Sequence, residues 1–347
     1  MNKKLISAAV TAAVGATGAM IAPPASADSV TVYGQVRQEL HYQDNGVSNG
    51  WRLDDSGAQS RIGVKADKDL GNGLKAVAVM EWIVEACGVS GGSGGGGPTA
   101  NLNTGAVDLG SGGCRQDFAT ARQQFVGLQG GFGRVAFGRF NGSYKTVGGV
   151  AYDAFAATSL QARGQGGMSG GPWTHNGFMD DLIEYKSPKL GMFTFAVQYG
   201  LDDPQNPAGA KDTKGDYNLN AKVGDKNWQV IAAVSHDDGT DDDNYKIGGQ
   251  IKFGGAVISL QFEDVESGTD GKYAYGQILY KLGKLDLVLN YGQLNADVDG
   301  NDEDHIAAGI RYHLGKKVWT WVGYSTRSRD NNPNDIDNFG IGMTMTF

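Results

Sequence analysis

The sequence predicts an all-β chain, a 16-stranded antiparallel transmembrane β-barrel with short periplasmic turns and long extracellular loops. Three observations predict it. Apolar residues recur at every second position in segments of about ten residues, the length a tilted strand needs to cross a bilayer. Connections alternate between short and long, the asymmetry of outer-membrane barrels. The closing segment "NFGIGMTMTF" alternates strictly, with Phe339, Ile341, Met343, Met345 and Phe347 on one face and small or polar residues on the other. In hydrocarbon each unpaired backbone polar group costs several kcal/mol, so such a sheet must close by pairing its last strand with its first, "SVTVYGQVRQEL". Phe347 is expected at the periplasmic aromatic girdle of this seam.

In chain order, "MNKKLISAAVTAAVGATGAMIAPPASA" has the layout of a secretory signal peptide: Lys3 and Lys4, an apolar run from Leu5 to Ile21, then Ala25-Ser26-Ala27. The expected domains are a cleaved segment, 1–27, and a barrel domain, 28–347. Strands are expected near 29–42, 58–68, 73–86, 119–128, 134–141, 180–187, 192–201, 216–224, 227–236, 244–253, 256–265, 272–282, 285–295, 304–314, 317–328 and 338–347, each from period-two alternation bounded by turn residues. Tight turns such as "DLGNG", "GGFG", "KLG" and "LGKK" are interleaved with long loops, 87–118 and 142–179 among them. A β-sandwich also alternates, but nothing would match its strands to bilayer thickness.

Two cysteines, Cys87 and Cys114, flank a glycine-rich stretch. An oxidising compartment predicts a disulfide there, worth about 3 to 4 kcal/mol in the chain-entropy model; the alternative is two unpaired thiols. No stretch beyond the leader approaches the ~18 apolar residues of a membrane-spanning helix. With 55 Gly but only 8 Pro and no Gly-X-Y period, collagen-like repeats are excluded. The 38 acidic residues exceed the 30 basic ones, so no nucleic-acid partner is expected.

The segments "VTVYGQVR", "SRIGVKADKDLGNGLKAVAVMEW", "RQQFVGLQGGFGRVAFGRF" and "EYKSPKLGMFTFAVQYG", with the closing Phe347, resemble the sixteen-stranded general porins of Gram-negative bacteria, especially the neisserial and β-proteobacterial type. The resemblance spans the chain after the leader. It implies an outer-membrane homotrimer whose third loop folds into the lumen opposite wall arginines, Arg61 and Arg122 falling at such positions. Before the Tyr185-Lys186-Ser187-Pro188 stretch this chain departs from the family, with Asp180, Asp181 and Glu184 in the neighbourhood where related porins often show a basic residue and an Asn-Ser pair.

Strand parity gives an independent reading of the lumen. Inward bases are expected to be Arg37, Arg61, Lys65, Lys75, Arg122, Lys186, Lys222, Lys246, Lys252, Lys281 and Arg311, outnumbering the inward acids Glu39, Glu81, Glu184, Glu263 and Asp286. The acidic surplus then lies in loops such as "DDGTDDDN" and "DGNDED". A basic wall focuses anions in a narrow passage. The expected function is passive diffusion of small hydrophilic solutes and ions through a weakly anion-preferring pore, with Asp153 of loop 142–179 facing Arg61 and Arg122. A solute-specific channel is the alternative, and a structural or adhesive barrel a more distant one. The expected surroundings are outer-membrane lipid and lipopolysaccharide, with the barrel-assembly machinery acting during insertion. No enzyme, cofactor or metal site is expected: the Gly-x-Ser-x-Gly matches at Ser93 and Ser169 lack a strand-to-helix elbow. Asp302 stands where a calcium loop needs glycine.

Overall fold

A computed structural model describes residues 29–54, 60–84, 100–101, 106–107, 120–170, 177–201 and 214–347. The strands are β1 (Ser29–Asp44), β2 in two pieces (Asn49–Asp54 and Arg61–Gly71), β3 (Leu74–Ile83), β4 (Thr120–Gly130), β5 (Gly133–Asn141), β6 (Phe178–Lys186), β7 (Phe193–Gly200) and β8 (Tyr217–Gly224). There follow β9 (Trp228–Asp237), β10 (Asp242–Phe253), β11 (Ala256–Val265), β12 (Gly271–Leu282), β13 (Leu285–Ala296), β14 (Glu303–Gly315), β15 (Val318–Arg329) and β16 (Asn332–Thr346). Each pairs antiparallel with its sequence neighbour, and β16 pairs with β1, so the sheet is a closed ring. Both pieces of β2 pair with β1, which makes them one interrupted strand and the barrel sixteen-stranded.

The seam runs from Gln35 opposite Thr346 to Asp44 opposite Asp337. Beyond it the Phe347 N–H donates to the Gly34 carbonyl at 3.1 Å, and Gly34 donates back at 3.3 Å. Backbone groups that would face lipid unpaired are thereby satisfied along the closing edge. Phe339, Ile341, Met343, Met345 and Phe347 all lie exposed on the outer surface of this seam.

Alternation sorts the two faces along the regular stretches of the strands. Along β13, Leu287, Leu289 and Tyr291 are exposed on the outside, whereas Val288 and Asn290 are 4% and 1% exposed inside. The outward set is apolar because its solvent is acyl chain; the inward set is mixed because it meets water or the third loop. Two stretches reach beyond the expected strands: Asn49–Asp54 and the start of β16 at Asn332. Both lie at the long-loop end: the start of β16 is largely polar, and Asn49–Asp54 alternates only through Trp51 and Leu53, too short a run to mark a strand by itself. Two short segments, Ala100–Asn101 and Ala106–Val107, pair as a separate ribbon. Residues 1–27, Cys87 and Cys114 lie outside the described residues.

Candidate functional site

The third loop leaves β5 at Asn141 and stays inside the barrel. It opens with one helical turn, α1 (Ser143–Thr146), then a 3-10 turn at Gly149–Ala151. It then runs along the inner wall, held by side chains from strand after strand. Gln198 of β7 accepts from Ser143 N–H at 2.7 Å, and Asn220 of β8 donates to the Ser143 carbonyl at 2.7 Å. Gln261 of β11 accepts from Gly149 N–H at 2.6 Å, and Gln277 of β12 from Ala154 N–H at 2.7 Å. At the far end Glu39 of β1 accepts from Ser159 N–H at 3.0 Å and from its hydroxyl at 2.7 Å. The return limb is tied by Ser169, whose N–H and hydroxyl donate to Glu263 at 3.1 and 2.6 Å.

Apolar packing reinforces this path. Phe155 and Leu160 bury themselves against Leu279, Val288, Ala307 and Trp321, while Tyr144, Tyr152 and Met168 pack on Ile231, Ala233 and Tyr275. The loop approaches so closely that a Cβ on Gly323 would lie 2.7 Å from Leu160 Cδ1, and one on Gly292 would lie 2.2 Å from Gly167 Cα. Glycine is required at both for lack of space.

The loop thus covers the wall from β7 round to β1 and faces the wall from β2 to β6, where Arg61, Glu81, Arg122, Arg139 and Phe178 gather. Glu81 takes Arg122 Nε at 2.7 Å, Arg61 Nε at 3.6 Å and the Tyr33 hydroxyl at 3.0 Å. Strict alternation with the outward Val126 and Leu128 would turn Arg122 to lipid. A bulge prevents it: Glu81 faces Gln123 and Trp82 faces Ala121, leaving Arg122 as the extra residue, directed inward. A second irregularity, between Gly138 and Phe140, accompanies Arg139, whose guanidinium pairs with Asp180. The Phe178 ring carries Arg122 at 4.8 Å, Lys145 Nζ at 4.7 Å and Arg139 at 5.7 Å from its centroid.

The loop side of this passage is basic too. Lys145 of α1 is held down to about pKa 7, first by burial and then by Arg163, Arg122 and Arg61, with Glu81 opposing. Burial also lowers Arg163, against the pull of Asp153 and Glu263.

Several expected lumen residues have other work. Asp153 does not face Arg61 and Arg122. It is buried, accepts from the backbone N–H groups of Phe155 at 2.8 Å and Ala162 at 2.9 Å, and lies 3.4 Å from Asn290 on β13. The loop's own tight turn needs those acceptors, so the carboxylate points into the far wall. Burial raises its pKa to about 6. Arg37 donates to the carbonyls of Ala156 and Ala157 at 3.1 and 2.5 Å and stacks on Trp321 at 5.4 Å, anchoring the loop tip. Arg311 donates to the Ala154 carbonyl at 3.1 Å and pairs with Asp286 at 2.8 Å. Lys75 pairs with Asp67 at 3.6 Å near the short-turn end, six residues or about 20 Å along β3 from Glu81.

Parity reasoning missed Arg134, paired with Glu184, Arg139, and Arg327 and Arg329 around Glu303. It also passed over Lys145 and Arg163, since no periodicity says where a loop side chain points. The acids Asp180 and Glu184, which depart from the family pattern, are each neutralised by one of these arginines.

A sixteen-stranded closed barrel with lipid-facing alternation and a polar, loop-narrowed lumen defines an outer-membrane diffusion channel. The chain belongs to the Gram-negative porins, whose family profile matches residues 9–334. It is 30% identical to outer membrane porin protein 32 of Delftia acidovorans, covering 92% of this chain and 87% of that protein. It is 26% identical to the major outer membrane protein P.IB of Neisseria gonorrhoeae, over 94% and 86% of the two chains. Among solved structures it resembles the anion-selective porin from Comamonas acidovorans, with a TM-score of 0.71, 20% identity and 92% and 100% coverage. The protein is a channel of the Gram-negative outer membrane, not an enzyme.

Proposed function

We propose that this porin favours small anions, its passage being lined by cations on both sides. The observation that carries this reading is the cluster of Arg61, Arg122 and Arg139 on the wall against Lys145 and Arg163 on the loop, with Glu81 and Asp180 as the interspersed acids. Each of those acids is already engaged by an arginine. A passing anion meets a surplus of cationic side chains in a narrow, partly desolvated opening, and a cation is repelled there. The Comamonas acidovorans porin, described as anion-selective, shares the fold.

In this reading residues 1–27 are removed on export, Cys87 and Cys114 close the loop after β3, and the mature chain, residues 28–347, is inserted by the barrel-assembly machinery as a homotrimer. Its apolar belt then meets lipid, and its acidic outer loops meet the lipopolysaccharide leaflet through divalent cations. Planar-bilayer reversal potentials in a KCl gradient test the selectivity. Arg61→Gln with Arg122→Gln should move the reversal potential toward the potassium side by more than Lys281→Gln near the short-turn rim. Clear cation selectivity of the unaltered protein would reject the reading.

A further inference from the structure

We infer that Lys145 is a specificity-determining residue of the passage and makes the anion preference fall as pH rises through neutrality. The inference rests on the anion-preferring reading above and names the group that tunes it.

The geometry is that of a crowded cation. Lys145 projects from α1 as a part-exposed side chain, with Nζ 4.7 Å from the centroid of Phe178. The same ring carries the guanidinium of Arg122 at 4.8 Å and that of Arg139 at 5.7 Å. Three cationic heads therefore share one aromatic side chain, and Arg61 and Arg163 lie within electrostatic reach.

Around the group, β2 supplies Arg61, β3 Glu81, β4 Arg122, β5 Arg139 and β6 Asp180, while the loop supplies Arg163. Glu81 is shared with Arg61, Arg122 and the Tyr33 hydroxyl of β1, and Asp180 is held by Arg139. Behind α1, the strands β7, β8 and β9 present the neutral Gln198, Asn220, Ile231 and Ala233, and Lys222 lies further down β8. No carboxylate of this set belongs to Lys145 alone.

Like charges and burial both disfavour an ammonium ion, and relief is open to only one member of the cluster. Guanidinium groups do not deprotonate in proteins, whereas a lysine does. The residue is held near pKa 7. Below that pH Lys145 adds a full positive charge opposite Arg122; above it the loop side loses that charge while the wall keeps its own.

The size of the effect follows from Coulomb's law. A unit charge about 7 Å from a permeating ion in water is worth about RT, and salt near 0.1 M screens away roughly half of it. Chloride and potassium respond with opposite sign, so the chloride-to-potassium permeability ratio should change about two- to threefold.

The experiment is the reversal potential of the full channel in a KCl gradient, scanned from about pH 5.5 to about pH 8.5 across the expected titration. It compares the unaltered protein with Lys145→Arg and Lys145→Met. The unaltered ratio should fall about two- to threefold with a midpoint near neutrality. Lys145→Arg should hold the low-pH ratio throughout, and Lys145→Met the high-pH ratio. Asp153 also titrates in this range and its ionisation has the same sign, so persistence of the fall in Lys145→Arg would overturn the inference in favour of that carboxylate. An anion-selective channel with a flat pH profile would overturn the inference alone. Cation selectivity at every pH would overturn the anion-preferring reading itself.

Discussion

Replacing Gly292 by alanine should loosen the third loop without harming the barrel. Gly292 sits inside β13, opposite Tyr275 on one side and His305 on the other, so hydrogen bonds hold it in the sheet from both flanks. An added Cβ would stand 2.2 Å from Gly167 Cα, where ordinary contact begins at 3.4 Å, so the two backbones must part by about 1.2 Å. The wall is fixed by two ladders, and the loop therefore gives way. Overpacking of this kind costs about 1 to 3 kcal/mol, comparable with one hydrogen bond to a charged group at about 1.5 to 3 kcal/mol. The bonds at stake are close by: Ser169, two residues on from Gly167, donates twice to Glu263. The loop tip remains tied through Glu39 and Arg37, so release should be partial. The expected result is a higher single-channel conductance with added current noise, while the temperature at which the barrel unfolds on a detergent gel stays unchanged. Gly315→Ala is the control, since nothing lies within 4 Å of its added Cβ. If Gly292→Ala conducts as quietly and as weakly as the unaltered channel, the loop does not rest on the wall as described.

Loop docking should also depend on pH through Asp153. Its pKa is raised by burial to about 6, so the docked state holds a proton that the released state gives up. Docking is then strengthened as pH falls from about 6 toward the ordinary carboxylate range and weakened as pH rises through 6. Limited proteolysis of the loop should be slower at acid pH, and Asp153→Asn should abolish that dependence. At the seam, deleting residues 338–347 removes nine of the ten positions paired with β1 and leaves lipid-exposed edges on β1 and β15. The truncated chain should not yield a heat-modifiable barrel on a detergent gel; recovery of a folded band would contradict closure through β16.

The strands and their closure were legible in the sequence because the pattern that makes them is local. One face of each strand meets acyl chains, so every second residue must be apolar, and Leu287, Leu289 and Tyr291 or Ile341, Met343 and Met345 announce that face without reference to anything distant. Bilayer thickness sets the length of the pattern, and the ban on unpaired backbone groups in hydrocarbon dictates the seam. At Asn332 the pattern fades although the ladder continues, and at Asn49–Asp54 Trp51 and Leu53 keep it for too few residues to be read as a strand.

The interior was decided by tertiary structure. Arg122 shares the parity of Val126 and Leu128, and only a one-residue bulge against Glu81 and Trp82 turns it into the passage. Both the parity reading and the resemblance to the family list it as inward, but parity reaches that answer only by ignoring the bulge, since unbroken alternation with Val126 and Leu128 turns it outward. Asp153 looked like the acidic counterpart of the wall arginines, yet two N–H groups of its own loop and Asn290 on β13 claim it. Lys145 and Arg163 carry the loop's positive charge because glutamines, glycines and carboxylates from strands far apart in sequence fix the loop's course. Period-two patterning records which medium a strand faces. It holds no information about which of two inward charges ends beside the other, because that depends on contacts between residues on different strands and loops, from tens to more than a hundred positions apart.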